Sequence, residues 1–257
     1  NWRVGGRRQS AIDASAIMFS SANDGQTWTS KYISGVKTRD DGSNFDTNPY
    51  LQGGVALRAK DGVLMAGGNT IVRSEDDGAT WNTVTNGFLG ETAYFNLEDP
   101  TVWIATGSDY TSLITSDPPF TSPTIKYSTD LGVTWSNILT GPFNLYGYEV
   151  AYGNNTWLAT GVSFDLSGLT YLYTPELRSS TNGSNWTKIP FFSDLFSSNE
   201  TSNIVKAPLR LGSLAFDGSN WNVFVNVQNQ SGTIVSIPRL YQHPASCLLY
   251  TSDAADD

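Results

Sequence analysis

The chain has 257 residues, of which 39% are apolar, 12% aromatic and only 15% charged, a composition that excludes disorder and suffices for a substantial buried core. A net charge of −9 excludes the basic surface that a nucleic acid or an anionic membrane requires. No run approaches the roughly 18 apolar residues of a membrane-spanning helix, and a single His and a single Cys exclude a His/Cys metal site or a Cys–His dyad. No cofactor, metal or membrane insertion is expected, and the chain is expected to be a monomer. Strand signals begin at once. Trp2-Arg3-Val4-Gly5-Gly6 reads as a strand, followed by strands near 15–20 and 27–33 and a long polar segment, Ser34–Tyr50. Strands and turns then alternate over 53–85, 93–139 and 147–189. Three further long segments stand out: Asp109–Pro123, Ser163–Pro175 and Pro190–Pro208. A last group places strands near 211–216, 221–227 and 233–241.

A repeat organises these elements. Ser21-x-Asn23-x-Gly25-x-Thr27-Trp28, Ser74-x-Asp76-x-Gly78-x-Thr80-Trp81 and Ser128-x-Asp130-x-Gly132-x-Thr134-Trp135 share one pattern. Ser180-x-Asn182-Gly183-x-x-Trp186 is a version one residue shorter. The tryptophans are 53, 54 and 51 residues apart, and a period near 50 with strand-like flanks is that of one four-stranded β-propeller blade. In each copy the Asp or Asn side chain closes a tight turn by accepting backbone N–H groups, and the Gly takes the positive-φ position. The Trp then leaves the turn to wedge between neighbouring sheets.

A second phased pattern supports this reading. Lys60-Asp61-Gly62, Glu98-Asp99-Pro100, Gly153-Asn154-Asn155 and Asp217-Gly218-Ser219-Asn220 are turns that precede Val63–Gly67, Trp103–Gly107, Trp157–Gly161 and Trp221–Val225. Trp2–Gly6 fits the same slot, so the chain enters its first blade at the second strand. All eight tryptophans then fall on a turn or a second strand, and core packing is expected for each.

The four phased turns resemble the Asp-box, or bacterial neuraminidase repeat, of sialidase-like propellers. That resemblance covers roughly residues 1–245 and implies an all-β propeller with a hairpin between the third and fourth strands of each blade. Blades are expected near 1–34, 53–85, 93–139, 147–189 and 211–246, forming one propeller over 1–246 that is cut at both ends of a parent with six or more blades. Residues 247–257 look like a translated sequencing adapter, hence an artefact tail on an environmental reading frame. Without them Cys247 disappears and the loss of Asp253, Asp256 and Asp257 takes the charge from −9 to −6. The glycine-and-tryptophan strands also look like repeat proteins of large DNA viruses and phages, so an extracellular or virion-associated location is expected.

The arrangement implied by the resemblance puts the Asp-box turns on the bottom face and the long segments on the top, around the channel. Tyr110, Phe120, Tyr146, Phe164 and Tyr171 are the aromatic candidates there. Tyr110, Phe120, Phe164 and Tyr171 would stack on sugar rings, while Asp109 and Asp165 accept hydroxyl hydrogen bonds. A sialidase would add three arginines gripping a carboxylate, a Tyr nucleophile paired with a Glu, and an Asp acid/base. Of the nine arginines, Arg73 and Arg178 read as matching strand ends just before their turns. Tyr148 and Glu149 are adjacent on a strand and point to opposite faces. A two-carboxylate glycosidase has Asp109, Asp117, Glu149, Asp165 and Glu176 to draw on, and no spacing singles out a pair. Asp40-Asp41-Gly42-Ser43-Asn44-Phe45-Asp46 lacks the EF-hand spacing and reads as a solvated loop. Sequons begin at Asn154, Asn182, Asn185, Asn199 and Asn229, a number that so Ser/Thr-rich a chain produces by chance. The catalytic residues stay unknown. The reading that results is a non-catalytic propeller that binds a glycan or protein through its top-face loops. The alternatives are a sialidase-like or other glycoside hydrolase with catalytic residues partly lost, and an intracellular assembly factor.

Overall fold

The structure, a computed structural model, describes residues 2–9, 14–34, 56–67, 70–86, 94–107, 124–138, 146–167, 170–189, 211–227 and 237–244. Among these residues the fold is all-β, with eighteen strands in five antiparallel sheets. The chain divides into two compact units, Asn1–Leu139 and Thr140–Asp257. The first unit holds sheet I, with β1 (Trp2–Gln9), β2 (Ala14–Ser21) and β3 (Thr29–Tyr32), and sheet II, with β4 (Ala56–Lys60), β5 (Val63–Gly67), β6 (Thr70–Ser74) and β7 (Asn82–Asn86). It ends with sheet III, made of β8 (Tyr94–Asn96), β9 (Trp103–Thr106), β10 (Ile125–Ser128) and β11 (Ser136–Asn137). The second unit holds sheet IV, with β12 (Tyr146–Gly153), β13 (Thr156–Ser167), β14 (Thr170–Ser180) and β15 (Thr187–Lys188). Sheet V follows, with β16 (Leu211–Phe216), β17 (Asn220–Val227) and β18 (Ile237–Pro244). Strands adjacent in sequence are adjacent in every sheet, so each is a meander, and the four-stranded ones have the form of propeller blades.

The apolar run of β5 explains how sheets stack in the first unit. Successive side chains on a strand point to opposite faces, and a strand buried on both reads as continuously apolar. Val63 and Met65 pack with Phe95, Leu97, Trp103 and Ala105 of sheet III. Leu64 and Ala66 pack on the other side with Ala16, Met18 and Ile33 of sheet I. Each large side chain so buried contributes about 1.5–3 kcal/mol. In the second unit Gly153 lies against the Phe216 ring, where a Cβ has no room. Phe216 in turn packs on Trp221 with ring centroids 5.0 Å apart, and Tyr152 on Trp157 at 4.7 Å.

The phased turns close as their sequence requires. Ser74 Oγ accepts the Gly78 N–H at 2.9 Å and donates to Asp76 Oδ1 at 2.8 Å, and Asp76 Oδ1 accepts the Thr80 N–H at 2.8 Å. Ser128, Asp130, Gly132 and Thr134 repeat this scheme, as do Ser21, Asn23, Gly25 and Thr27. The residue before the glycine takes positive φ in these three turns: 54° at Asp24, 57° at Asp77 and 56° at Leu131. The indole N–H groups of Trp28, Trp135 and Trp186 donate to the carbonyls of Gly25, Gly132 and Gly183. Core packing of all eight tryptophans does not hold. Trp103, Trp157 and Trp221 are buried, but Trp28 is 44% and Trp2 59% exposed. Trp81 and Trp135 wedge against the sheet that precedes their own, and among the described residues nothing covers the corresponding face of sheet I.

Candidate ligand-binding site

Two ends of the blade-like sheets differ in chemistry. One end carries the phased turns together with the short second-strand turns. There Asp99 Oδ1 accepts the N–H groups of Thr101 and Val102 at 2.7 and 2.8 Å, and Asp217 Oδ1 those of Ser219 and Asn220 at 2.9 and 2.7 Å. The backbone donors of Asn220 and Ser219, with the Asn222 side chain, hold the Asp217 carboxyl down at about 2. The Thr80 hydroxyl and N–H and the Ser74 hydroxyl do the same for Asp76, also to about 2. At Asp130 burial opposes ionisation, but the bonds from Thr134 and Ser128 outweigh it and the carboxyl again falls below the usual range. These carboxylates are consumed by their own turns. Cations on this end are engaged as well: Arg3 pairs with Asp77, Arg73 with Glu75 at 2.6 Å, and Lys60 Nζ donates to the Glu98 carbonyl at 2.5 Å.

The other end of sheet IV is built differently. The strands β13 and β14 are 12 and 11 residues long, against 4 or 5 for their counterparts β5, β6, β9 and β10 and 8 for β1, β2, β17 and β18. Pairing runs without a break from Trp157↔Ser180 to Ser167↔Thr170. Pairing to β12 ends at Tyr146↔Val162, and β15 reaches only Arg178 and Ser179. Among the described residues, only β13 and β14 pair beyond residue 162. Ser163–Ser167 and Thr170–Pro175 are thus paired antiparallel strands where the sequence reads as a long loop segment. The alternation Phe164-Asp165-Leu166-Ser167 and the β-prone run Tyr171-Leu172-Tyr173-Thr174 were the available signals, masked by the Ser, Gly and Pro around them. The register sets Phe164 opposite Tyr173 and Leu166 opposite Tyr171. By the two-residue period these four positions fall on one face of this strand pair, and Asp165 and Leu172 on the other. Asp109, Tyr110 and Phe120 lie outside the described residues, as does Asp117.

At the base of this extension β12 carries a bulge between Gly147 and Glu149, the class of irregularity that re-aims side chains near sites. Glu149 shares a row with Thr160 and Leu177, whereas Gly147, Gly161 and Glu176 form the next row. Adjacent rows face opposite ways, so Glu149 and Glu176 stand on opposite faces and do not make a carboxylate pair across a cleft. The buried Glu176 is in any case clamped by Arg178 at 2.7 Å and Lys188 at 3.1 Å. Arg178 does not match Arg73. It lies two residues before its turn serine and Arg73 one, which puts them on opposite faces of their strands, and Arg73 reaches the Leu131 carbonyl at 3.0 Å. Among the described residues no three arginines converge, and no group of three or more His, Cys, Asp or Glu is placed to hold a metal ion.

No family model and no curated protein matches the chain. Among solved structures it is similar to the GH74 enzyme of Niastella koreensis, with TM-score 0.45 and 16% identity over 90% of this chain and 28% of that one. It is also similar to an exo-1,5-α-L-arabinanase from a bovine ruminal metagenomic library, with TM-score 0.38 and 10% identity over 94% and 88% of the two chains. The sialidase of Trypanosoma rangeli gives TM-score 0.33 and 12% identity over 82% and 36%. The chain thus spans 28% of the length of the GH74 enzyme. The likenesses concern the fold class alone, and no residue role passes from those proteins to this one.

Proposed function

We propose that this protein binds a glycan or a protein ligand, without catalysis, through the end of its sheets opposite the phased turns. The observation that carries the reading is the β13–β14 extension. Past the last described pair with β12 this extension carries Phe164, Leu166, Tyr171, Leu172 and Tyr173, an aromatic-rich segment for a ligand to meet. Phe164 and Tyr171 supply aromatic faces for stacking on sugar rings, and Asp165 supplies an acceptor for hydroxyls. Tyr110, Phe120 and Asp109 are the candidates of the same kind in the repeat before it. At the turn end Asp76, Asp99, Asp130 and Asp217 already accept bonds within their own turns, which leaves these four less to offer a ligand. Binding is favoured over hydrolysis because Glu149 and Glu176 face opposite sides of sheet IV, and Glu176 is held by two cations.

A glycan array probed with the intact chain and with a Phe164→Ala/Tyr171→Ala double variant tests this. Binding that is lost in a folded double variant supports the aromatic site, and undiminished binding removes it. Measurable release of sugar from a sialoside or glucan by the intact chain would instead establish the glycoside hydrolase reading.

A further inference from the structure

The fourth phased turn differs from the other three by one missing residue, and the omission has a chemical consequence. Asp24, Asp77 and Leu131 separate the Asn or Asp from the glycine in the longer turns. In the fourth, Asn182 precedes Gly183 directly. Asn-Gly is the dipeptide most open to intramolecular deamidation, because glycine has no Cβ to shield its own nitrogen or to restrict its backbone. The Gly183 backbone nitrogen attacks Cγ of Asn182 and forms a C–N bond. The bond from Cγ to Nδ2 breaks, and ammonia leaves with the proton that the Gly183 nitrogen gives up. Water then opens the succinimide at either carbonyl, to aspartate or isoaspartate.

Both reacting groups are tied in the folded turn. Gly183 is buried, and its N–H donates to Ser180 Oγ at 2.8 Å. Asn182 Oδ1 accepts the N–H groups of Asn185 and Ser184 at 2.9 and 3.0 Å and the Ser184 hydroxyl at 3.2 Å. A buried, bonded amide loses its proton only when the segment opens, which is the same condition that governs hydrogen exchange. From this geometry we infer that Asn182 is a latent deamidation site held shut by the Ser180 hydroxyl. The two products differ in effect. An aspartate at 182 adds one negative charge and keeps an acceptor for the Ser184 and Asn185 N–H groups, as Asp76 and Asp130 are acceptors in their own turns. An isoaspartate inserts a methylene into the main chain and displaces Gly183 from its left-handed position at φ 72°, together with the bond from Trp186 Nε1 to the Gly183 carbonyl at 3.0 Å. Opening of this one turn therefore leads to irreversible chemical ageing of the second unit.

The test is incubation of the whole chain at mildly alkaline pH beside a synthetic peptide covering 178–189, with conversion at Asn182 followed by peptide mapping that separates isoaspartate. The folded chain is expected to convert more slowly than the peptide. Ser180→Ala is expected to raise its rate roughly tenfold, equivalent to about 1.4 kcal/mol of turn opening, and Ser180→Thr, which keeps the hydroxyl, to preserve the slow rate. Should Ser180→Ala fail to fold, unaltered chain in sub-denaturing urea decides, because Gly183 amide exchange and Asn182 conversion should accelerate together. Conversion of the folded chain as fast as the peptide overturns the inference. So does a folded Ser180→Ala chain with no acceleration, or exchange at Gly183 that rises while conversion does not.

Discussion

The turns at 21–28 and 74–81 have nearly the same sequence and close through the same Ser and Asn/Asp side-chain bonds, yet they differ in what surrounds them. The Trp28 indole donates to the Gly25 carbonyl, while the Trp81 indole N–H has no partner among the described residues. Ser21 and Asn23 close the first as Ser74 and Asp76 close the second. In the second, Trp81 packs into the cluster of Met18, Leu57, Leu64 and Val72, and Gly78 lies against Met18. In the first, Trp28 is 44% exposed and Gly25 meets only Trp28 itself. Local closure is thus a property of the eight residues, whereas the wedge is a property of the sheet that lies before them. At Trp28 the turn holds the indole by its own hydrogen bond, whereas at Trp81 the neighbouring sheet supplies the packing.

The largest test of that separation is Trp81→Ala against Trp28→Ala. The first removes an indole from a packed cluster and leaves a cavity, so a loss of about 3 kcal/mol is expected, while the second should cost under about 1 kcal/mol. Urea unfolding followed at several wavelengths measures both. Equal losses would mean that the turn, and not the neighbouring sheet, supplies the stabilisation.

A smaller contrast lies in the glycines. Gly25 and Gly132 have φ of 83° and 79°, so alanine at either position meets the left-handed penalty of about 1–2 kcal/mol. At Gly132 a Cβ would also stand 2.9 Å from Met65 Sδ and 3.0 Å from the Trp103 ring. Gly132→Ala should therefore exceed Gly25→Ala by about 1 kcal/mol or more, the usual scale for overpacking. If the two variants melt together, sheet II and the turn of sheet III are less tightly apposed than described.

The same distinction explains what the sequence made legible. The turns could be read because Asn23, Asp76, Asp130 and Asn182 find their partners within four residues. Strand order followed from the period, since each repeat pairs with itself before it packs on a neighbour. The exposure of Trp28 and Trp2 could not be read, because burial depends on a surface distant in sequence. The extension was legible in principle through the alternation at 164–167 and the β-prone run at 171–174, but Asp165, Ser167, Gly168 and Pro175 carry the composition of an irregular segment. Of the six candidate binding residues, Phe164, Asp165 and Tyr171 fall on those two strands, and the register that divides them between two faces was announced by no motif.

The smallest effect is one of pH, and it separates the two turns through a single atom type. Asp76 is held at about 2, from an ordinary 3.8, chiefly by the Thr80 hydroxyl and N–H and then by Ser74. A carboxyl whose folded value is depressed contributes stability that is fully present above its unfolded value and is lost as pH falls through the folded one. The contribution of Asp76 should accordingly be complete above about pH 4 and decline towards about pH 2. Asn23 makes the corresponding bond to Thr27 with a group that does not titrate, so the first turn has no such dependence. Asp76→Asn should flatten the fall in urea midpoint across that window, and Asn23→Asp should steepen it. Because Asp76 is exposed, the difference should be small and should shrink in high salt. An Asp76→Asn variant with an unchanged acid slope would show that the carboxylate's charge adds nothing to the bonds, and the two turns would then be equivalent in chemistry as well as in geometry.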